Sequence, residues 1–149
     1  MLGPPVGTPR PTFFDPQQRD LAYMRLQGVR DDSIVSSYMM TFHYARQKEG
    51  VREIRSSTRT DFGEFNVNTI GASLIATTDM DWLGKLTYGS DWSHDDVNAN
   101  KYRYNPITGV STSDTPQFPD DSFYERVGAF LTWDLPLGDR WEATSGVRY

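Results

Sequence analysis

The strongest constraint on the fold is an alternation of apolar and polar residues with a period of two, which recurs in successive segments of the chain. At 34–44 the even positions are mostly apolar and the odd positions mostly polar, as in a β-strand with one apolar face. Five further segments show the same alternation: 20–27, 69–77, 85–92, 127–135 and 141–149. The alternation is weakest at 20–27. The sequence therefore predicts an all-β fold with about six strands.

The connections between these segments alternate in length. Short polar turns are predicted at 30–33, 79–81 and 138–140, and long loops at 48–63 and 95–122. Short turns on one side and long loops on the other are typical of transmembrane β-barrels, whose turns are periplasmic and whose loops are extracellular. We therefore predict an antiparallel up-and-down meander that forms a segment of a transmembrane β-barrel.

The four tryptophans fit a membrane-spanning sheet. Trp82, Trp133 and Trp141 each lie beside a predicted short turn, which indicates one interfacial girdle. Trp92 follows Trp82 by a distance of roughly 23 Å along the membrane normal, if the strand rises about 3.3 Å per residue and tilts about 45°. This separation is close to the roughly 25 Å apolar band of such barrels.

The same alternation also fits a soluble antiparallel sandwich or small barrel, whose apolar face packs inward. Two features favour the membrane protein: long strands, and a second face rich in Gly, Ser and Thr. The alternative function is that of a soluble β-sheet ligand-binding module, for example a carbohydrate-binding one.

Prolines indicate how the chain is divided. Five lie in the first sixteen residues, and the next one is Pro106. We predict an irregular Pro-rich segment at 1–19, a loop of the parent barrel, followed by a partial β-barrel at 20–149. The chain shows no signal peptide and no apolar run long enough for a transmembrane helix.

Composition argues against several classes of function. The net charge of -5 is unfavourable for binding a nucleic-acid backbone. The absence of cysteine excludes disulfides, thiolate metal sites and cysteine nucleophiles. No nucleophile-elbow, zinc-protease or phosphate-binding glycine motif is present, so we predict that the protein is not an enzyme and has no resident cofactor or metal.

Several segments resemble consecutive barrel strands of TonB-dependent outer-membrane receptors, in particular the haem and siderophore branch. The last segment, 125–149, resembles a recurring strand-turn-strand in which a G-[VA]-[FY] strand turns through an Asp-Arg pair into W-x-x-x-x-G-x-R-Y. The resemblance covers about residues 17–149. The matching segments are QRDLAYMRL (18–26), TFHYARQKE (41–49), LTYGSDWSHD (86–95) and ERVGAFLTWDLPLGDRWEATSGVRY (125–149).

The resemblance implies a fragment of an outer-membrane receptor that takes up iron complexes, haem or siderophores. It implies outer-membrane lipid and a transported iron complex as partners, and a TonB complex that acts through N-terminal parts not seen here. The family has a plug domain and a barrel of about 22 strands, whereas bacterial single-chain barrels need at least about eight strands. We therefore expect this chain to be part of a larger barrel.

The candidate ligand contacts lie in the predicted loops and on the predicted lumen face. A basic loop would attract an anionic iron chelate or a haem propionate, and a solvated charged loop is the alternative. His43 and His94 are candidate ligands of haem iron or a metal, or structural histidines. The tyrosines are candidates for haem contact or for the ordinary girdle. The remaining candidates are Arg52, Arg55, Arg59, Tyr102 and Tyr104.

Overall fold

The computed structural model describes residues 11–30, 33–116 and 119–149. Seven strands form within them, together with a short 3-10 helix at Asp81–Leu83. The strands are β1 (Thr12–Val29), β2 (Ser37–Ser56), β3 (Arg59–Asp79), β4 (Lys85–Tyr104), β5 (Ser111–Ser113), β6 (Ser122–Pro136) and β7 (Glu142–Arg148).

The strands form one sheet in the order β1-β2-β3-β4-β6-β7, and β5 pairs with β4 beside this path. Each strand on the path lies next to its sequence neighbour, except where the short β5 intervenes. In the β6–β7 pair, for example, the antiparallel register runs from Phe130 opposite Arg148 to Pro136 opposite Glu142. Short connections favour this arrangement because they can join antiparallel but not parallel neighbours. The predicted all-β antiparallel meander is confirmed.

Three predicted boundaries are wrong because the strands extend beyond the segments in which apolar and polar residues alternate. The predicted loop at 48–63 is the end of β2, a tight turn and the start of β3. Residues 95–104 of the second predicted loop belong to β4, and residues 12–19 of the predicted irregular start belong to β1. In these extensions the alternation of polar and apolar residues is absent or, as at Lys101, changes phase, although the backbone groups still pair across strands. Residues 1–10 of that start lie outside the described residues.

Tertiary contacts divide the chain into two units. The first contains the described parts of Met1–Asp20, Arg46–Asn68 and Asp96–Phe123. The second contains Leu21–Ala45, Thr69–Asp95 and Tyr124–Tyr149, again as far as these are described. Below they are called the hairpin unit and the tryptophan unit, after the β2–β3 hairpin and the four tryptophans that they hold.

Neither unit has a conventional hydrophobic core. Among the described residues, the buried hydrophobic side chains are Ala76 and Ala99. In the tryptophan unit, large apolar side chains such as Leu74, Val127 and Leu131 are exposed instead. Among the described residues, no helix is long and apolar enough to cross a membrane.

Strand β6 shows an inverted pattern of burial. The side chains on one face are exposed although they are apolar: Val127, Ala129, Leu131 and Trp133. The intervening side chains are buried or half-buried although most are small or polar: Gly128, Phe130, Thr132 and Asp134. A water-soluble sandwich requires the opposite arrangement, because its apolar face packs inward.

Candidate functional site

The β2–β3 hairpin holds a buried carboxylate between two arginines. Arg59 donates two hydrogen bonds to Asp61, at 2.7 Å from Nε and 2.8 Å from Nη2. Arg55 donates a third from Nε at 3.2 Å, and its Nη2 lies 2.6 Å from Glu53 Oε2. Bidentate arginine–carboxylate pairs are among the stronger hydrogen-bonded contacts in proteins. The cluster therefore fixes the tip of the hairpin and neutralises both arginines.

The environment of Asp61 favours its ionised form. The hydrogen bond from Arg59 is the main cause that lowers the pKa of the Asp61 carboxyl, and Arg55 lowers it further, whereas burial opposes both. The same contact raises the pKa of Arg59. Asp61 therefore remains charged over the whole neutral range.

A cleft of about 350 Å³ lies beside this cluster in the hairpin unit. Its volume is within the range of small-molecule sites. Charges of both signs and aromatic rings line it. The principal lining residues are Phe14, Glu49, Glu53, Arg55, Asp61, Phe65 and Lys101.

A second ion cluster surrounds Asp114, next to β5. Arg103 Nη2 lies 3.1 Å and Lys101 Nζ 3.7 Å from Asp114 Oδ2. The backbone N–H of Thr115 donates to Asp114 and is the main cause that lowers the pKa of this carboxyl, with the two cations adding to it. The cluster holds the segment after β5 against the end of β4.

The remaining candidates in the hairpin unit lie apart from Asp61. The guanidinium of Arg52 lies over the ring of Phe13, 5.0 Å from its centroid. Tyr102 stacks on Phe62 with ring centroids 4.8 Å apart and planes 9° from parallel. Tyr104 is half-buried and pairs with Ser111 of β5. The structure thus separates the three candidate arginines into a neutralised pair and one that lies over an aromatic ring.

The tryptophan unit carries ion pairs between β4 and the two strands that follow β5. Arg126 Nη2 lies 3.2 Å from Asp95 Oδ2, and its Nε donates to Ser93 Oγ at 3.1 Å. The Thr69 hydroxyl donates to the other oxygen of Asp95 at 2.6 Å. Arg148 Nη2 lies 3.0 Å from Asp91 Oδ1. Asp91, Ser93 and Asp95 alternate along β4, so these contacts lie on its polar face.

The two candidate histidines point to opposite faces of the sheet. The ring of His43 lies against Gly71, on the polar face that also carries Asp95. His94 Nδ1 lies 3.3 Å from Glu125 Oε1, and these residues share the parity of Trp92 and Val127. His43 and His94 therefore cannot ligate one ion together. Within the described chain, no group of three or more His, Cys, Asp or Glu side chains could hold a metal ion.

Three of the four candidate girdle tryptophans lie near chain reversals of the tryptophan unit. Trp82 is in the 3-10 helix and Trp141 immediately precedes β7, and they are 79% and 76% exposed. The Trp133 indole N–H donates to the carbonyl oxygen of Leu83 at 2.8 Å, which places it beside the same turn as Trp82. Trp92 lies in the middle of β4.

The acidic partners of the arginines were not among the residues predicted from the sequence. Asp61 was missed because its strand was predicted to be a loop, where a carboxylate is ordinarily solvated. For the ion pairs of the tryptophan unit a signal existed, because charged residues share the parity of the small polar face. The residues concerned are Asp91, Asp95, Arg126 and Arg148.

Comparison with protein-family models and with curated protein sequences gives no match. Among solved structures, the chain is similar to the copper transporter OprC, with a TM-score of 0.75 and 19% sequence identity. The similarity covers 92% of this chain and 22% of the OprC chain. The chain thus has the fold of a part of that structure and spans about a fifth of its length.

Proposed function

We propose that this chain is a segment of the β-barrel of a TonB-dependent outer-membrane receptor. In this proposal the tryptophan unit crosses the outer membrane, and the polar face of β4 and β6 lines the barrel lumen. The chain takes part in transport and not in catalysis. The TonB complex would act through parts of the receptor that precede this segment.

The inverted burial of β6 is the observation that supports this proposal most. Val127, Leu131 and Trp133 are exposed, so in water they would forgo the stabilisation of about 25 cal/mol per Å² that comes from burying apolar surface. In lipid the same side chains are solvated by acyl chains. The similarity to part of a longer transporter chain and the resemblance of 125–149 to receptor strands agree with this interpretation.

We propose that the transported cargo is an iron complex, either haem or a ferric siderophore. This finer assignment rests on the resemblance of the strand segments to the haem and siderophore branch. OprC is named as a copper transporter, so a copper ion is the competing cargo.

Uptake measurements in a bacterium that lacks its own iron and copper receptors test the proposal. The complete receptor should restore growth on haem or a ferric siderophore and should depend on an intact TonB complex. Restoration by copper alone would refute the iron assignment and leave the receptor assignment in place. A protein that fractionates as soluble without detergent would refute both.

A further inference from the structure

One face of the hairpin unit carries a row of flat side chains across four neighbouring strands. Phe13 is on β1, Arg52 on β2, Phe62 on β3 and Tyr102 on β4. Arg52 covers Phe13 at 5.0 Å and Phe62 stacks on Tyr102 at 4.8 Å. We call these four residues the aromatic row. A cavity of about 800 Å³ is lined by all four, a volume typical of a small-ligand site.

The charged groups around the aromatic row form no ion pairs with other described residues. In the described structure Arg52 has no ion pair, in contrast to Arg55 and Arg59, and Glu64 has none either. Asp15 also lines the cavity. The guanidinium offers hydrogen-bond donors, and the two carboxylates offer only acceptors.

This set of groups has a specific chemical preference. One cation and two anions give the lining a net negative charge, which is unfavourable for phosphates and other anions. Aromatic rings cover the C–H face of a sugar ring while its hydroxyls remain free, because their faces are apolar and rigid. Those hydroxyls can donate to carboxylates and accept from a guanidinium.

We propose that the aromatic row binds a short neutral oligosaccharide. One outer face of the stacked Phe62–Tyr102 pair provides the surface for one sugar ring, because the two inner faces cover each other. Arg52 and Glu64 bind the hydroxyls at the edge of that sugar ring. This site adjoins the cleft beside Asp61 and shares Phe62 and Glu64 with it, and it goes beyond the proposed uptake of an iron complex. It does not depend on the identity of that cargo.

Titration calorimetry of the detergent-purified protein tests the proposal, with maltotetraose, cellotetraose and chitotetraose as probes. We expect saturable binding of at least one of them. Tyr102→Ala or Phe62→Ala should weaken it roughly tenfold or more, because one of these changes removes the ring that contacts the sugar and the other removes the ring that supports it. Tyr102→Phe keeps the ring and should change the affinity by less than about threefold.

Ile107→Ala is the matched control, since it truncates an exposed apolar side chain of the same unit away from the row. Unchanged far-ultraviolet circular dichroism of each variant establishes that the sheet is intact. The proposal is overturned if no neutral tetrasaccharide binds, or if Tyr102→Ala binds as tightly as the unmodified protein. Binding of tetragalacturonate in preference to every neutral probe would also overturn it.

Discussion

The imidazole of His43 on β2 occupies the space beside Gly71 on β3 that a side chain at position 71 would fill. A Cβ there would lie 2.7 Å from His43 Nε2 and 2.9 Å from the Trp92 carbonyl oxygen. We predict that Gly71→Ala lowers the free energy of unfolding by about 1–3 kcal/mol, because a neighbour must move. Urea unfolding monitored by tryptophan fluorescence measures this.

Gly63→Ala provides the control, since its Cβ would meet only the Asn100 carbonyl oxygen at 4.0 Å. If the imidazole causes the strain, His43→Ser should recover much of the stability lost in Gly71→Ala. Equal stability of the two alanine variants would contradict the packing of His43 on Gly71.

Asp61→Asn should loosen the β2–β3 hairpin by about 1–3 kcal/mol, because two arginines lose a charged, buried partner. The loss should depend on pH. The folded-state pKa of Asp61 is lowered, so its contribution is complete above the unfolded pKa of about 4 and is lost as the pH falls through the folded value. Proteolysis within the hairpin as a function of pH measures this contribution.

Glu64→Gln removes a carboxylate from the same strand without breaking an ion pair, and it should leave hairpin protection unchanged at neutral pH. Equal protection of Asp61→Asn and Glu64→Gln against proteolysis would contradict a stabilising role of the arginine cluster in the hairpin.

Leu74→Arg should prevent insertion of the parent protein, whereas Thr87→Arg should allow it. Leu74 is exposed on the apolar face, and an arginine near the bilayer midplane costs about 2–4 kcal/mol. The Thr87 hydroxyl lies 3.4 Å from that of Thr77 on the polar face, where a charge can be hydrated. Heat-modifiable mobility in gels reports insertion, and equal insertion of the two variants would contradict a lipid-facing surface.

Breaking the Asp95–Arg126 pair should reduce stability by about 0.2–1 kcal/mol, since Arg126 is more than half exposed. The charge-swapped double variant Asp95→Arg with Arg126→Asp should be more stable than either single variant. A double-mutant cycle in thermal denaturation measures the coupling. The Asp91–Arg148 pair lies too far along β4 to compensate. If the stability changes of the two single variants simply add up to that of the double variant, the Asp95–Arg126 contact contributes nothing to stability.

The isolated chain should require detergent to remain monomeric. Its exposed apolar face lacks a covering layer, and β1 and β7 are at the ends of the sheet path with edges available for pairing. Sedimentation with and without detergent measures this. A detergent-free monomer that unfolds cooperatively would favour the soluble binding module instead.

The strand class and order were predictable because a period of two places alternate side chains on opposite faces. In 127–135 this periodicity also assigned each residue to its face, as β6 shows. The alternation could not tell which face is covered, because apolar residues point inward in a sandwich and outward in a membrane barrel. In the structure Val127 is exposed and the adjacent Gly128 is buried, so the apolar face is the uncovered one.

The sequence indicated that the candidate arginines form a basic group, but it did not indicate which contacts each arginine makes. Arg52, Arg55 and Arg59 are close in sequence, which indicated one cationic surface. In the structure β2 continues to pair with β3, and Arg55 and Arg59 both bind Asp61. Arg52 lies instead over the ring of Phe13 on β1.

The sequence by itself determined the antiparallel strand pattern and the parity of each side chain, because both depend on local backbone geometry. Only the tertiary structure decided where the strands end, which charges are neutralised and which rings stack. Contacts such as Phe62 with Tyr102 or Asp91 with Arg148 depend on register between distant strands. Register is set by backbone pairing across the sheet, and the period of a single strand does not contain it.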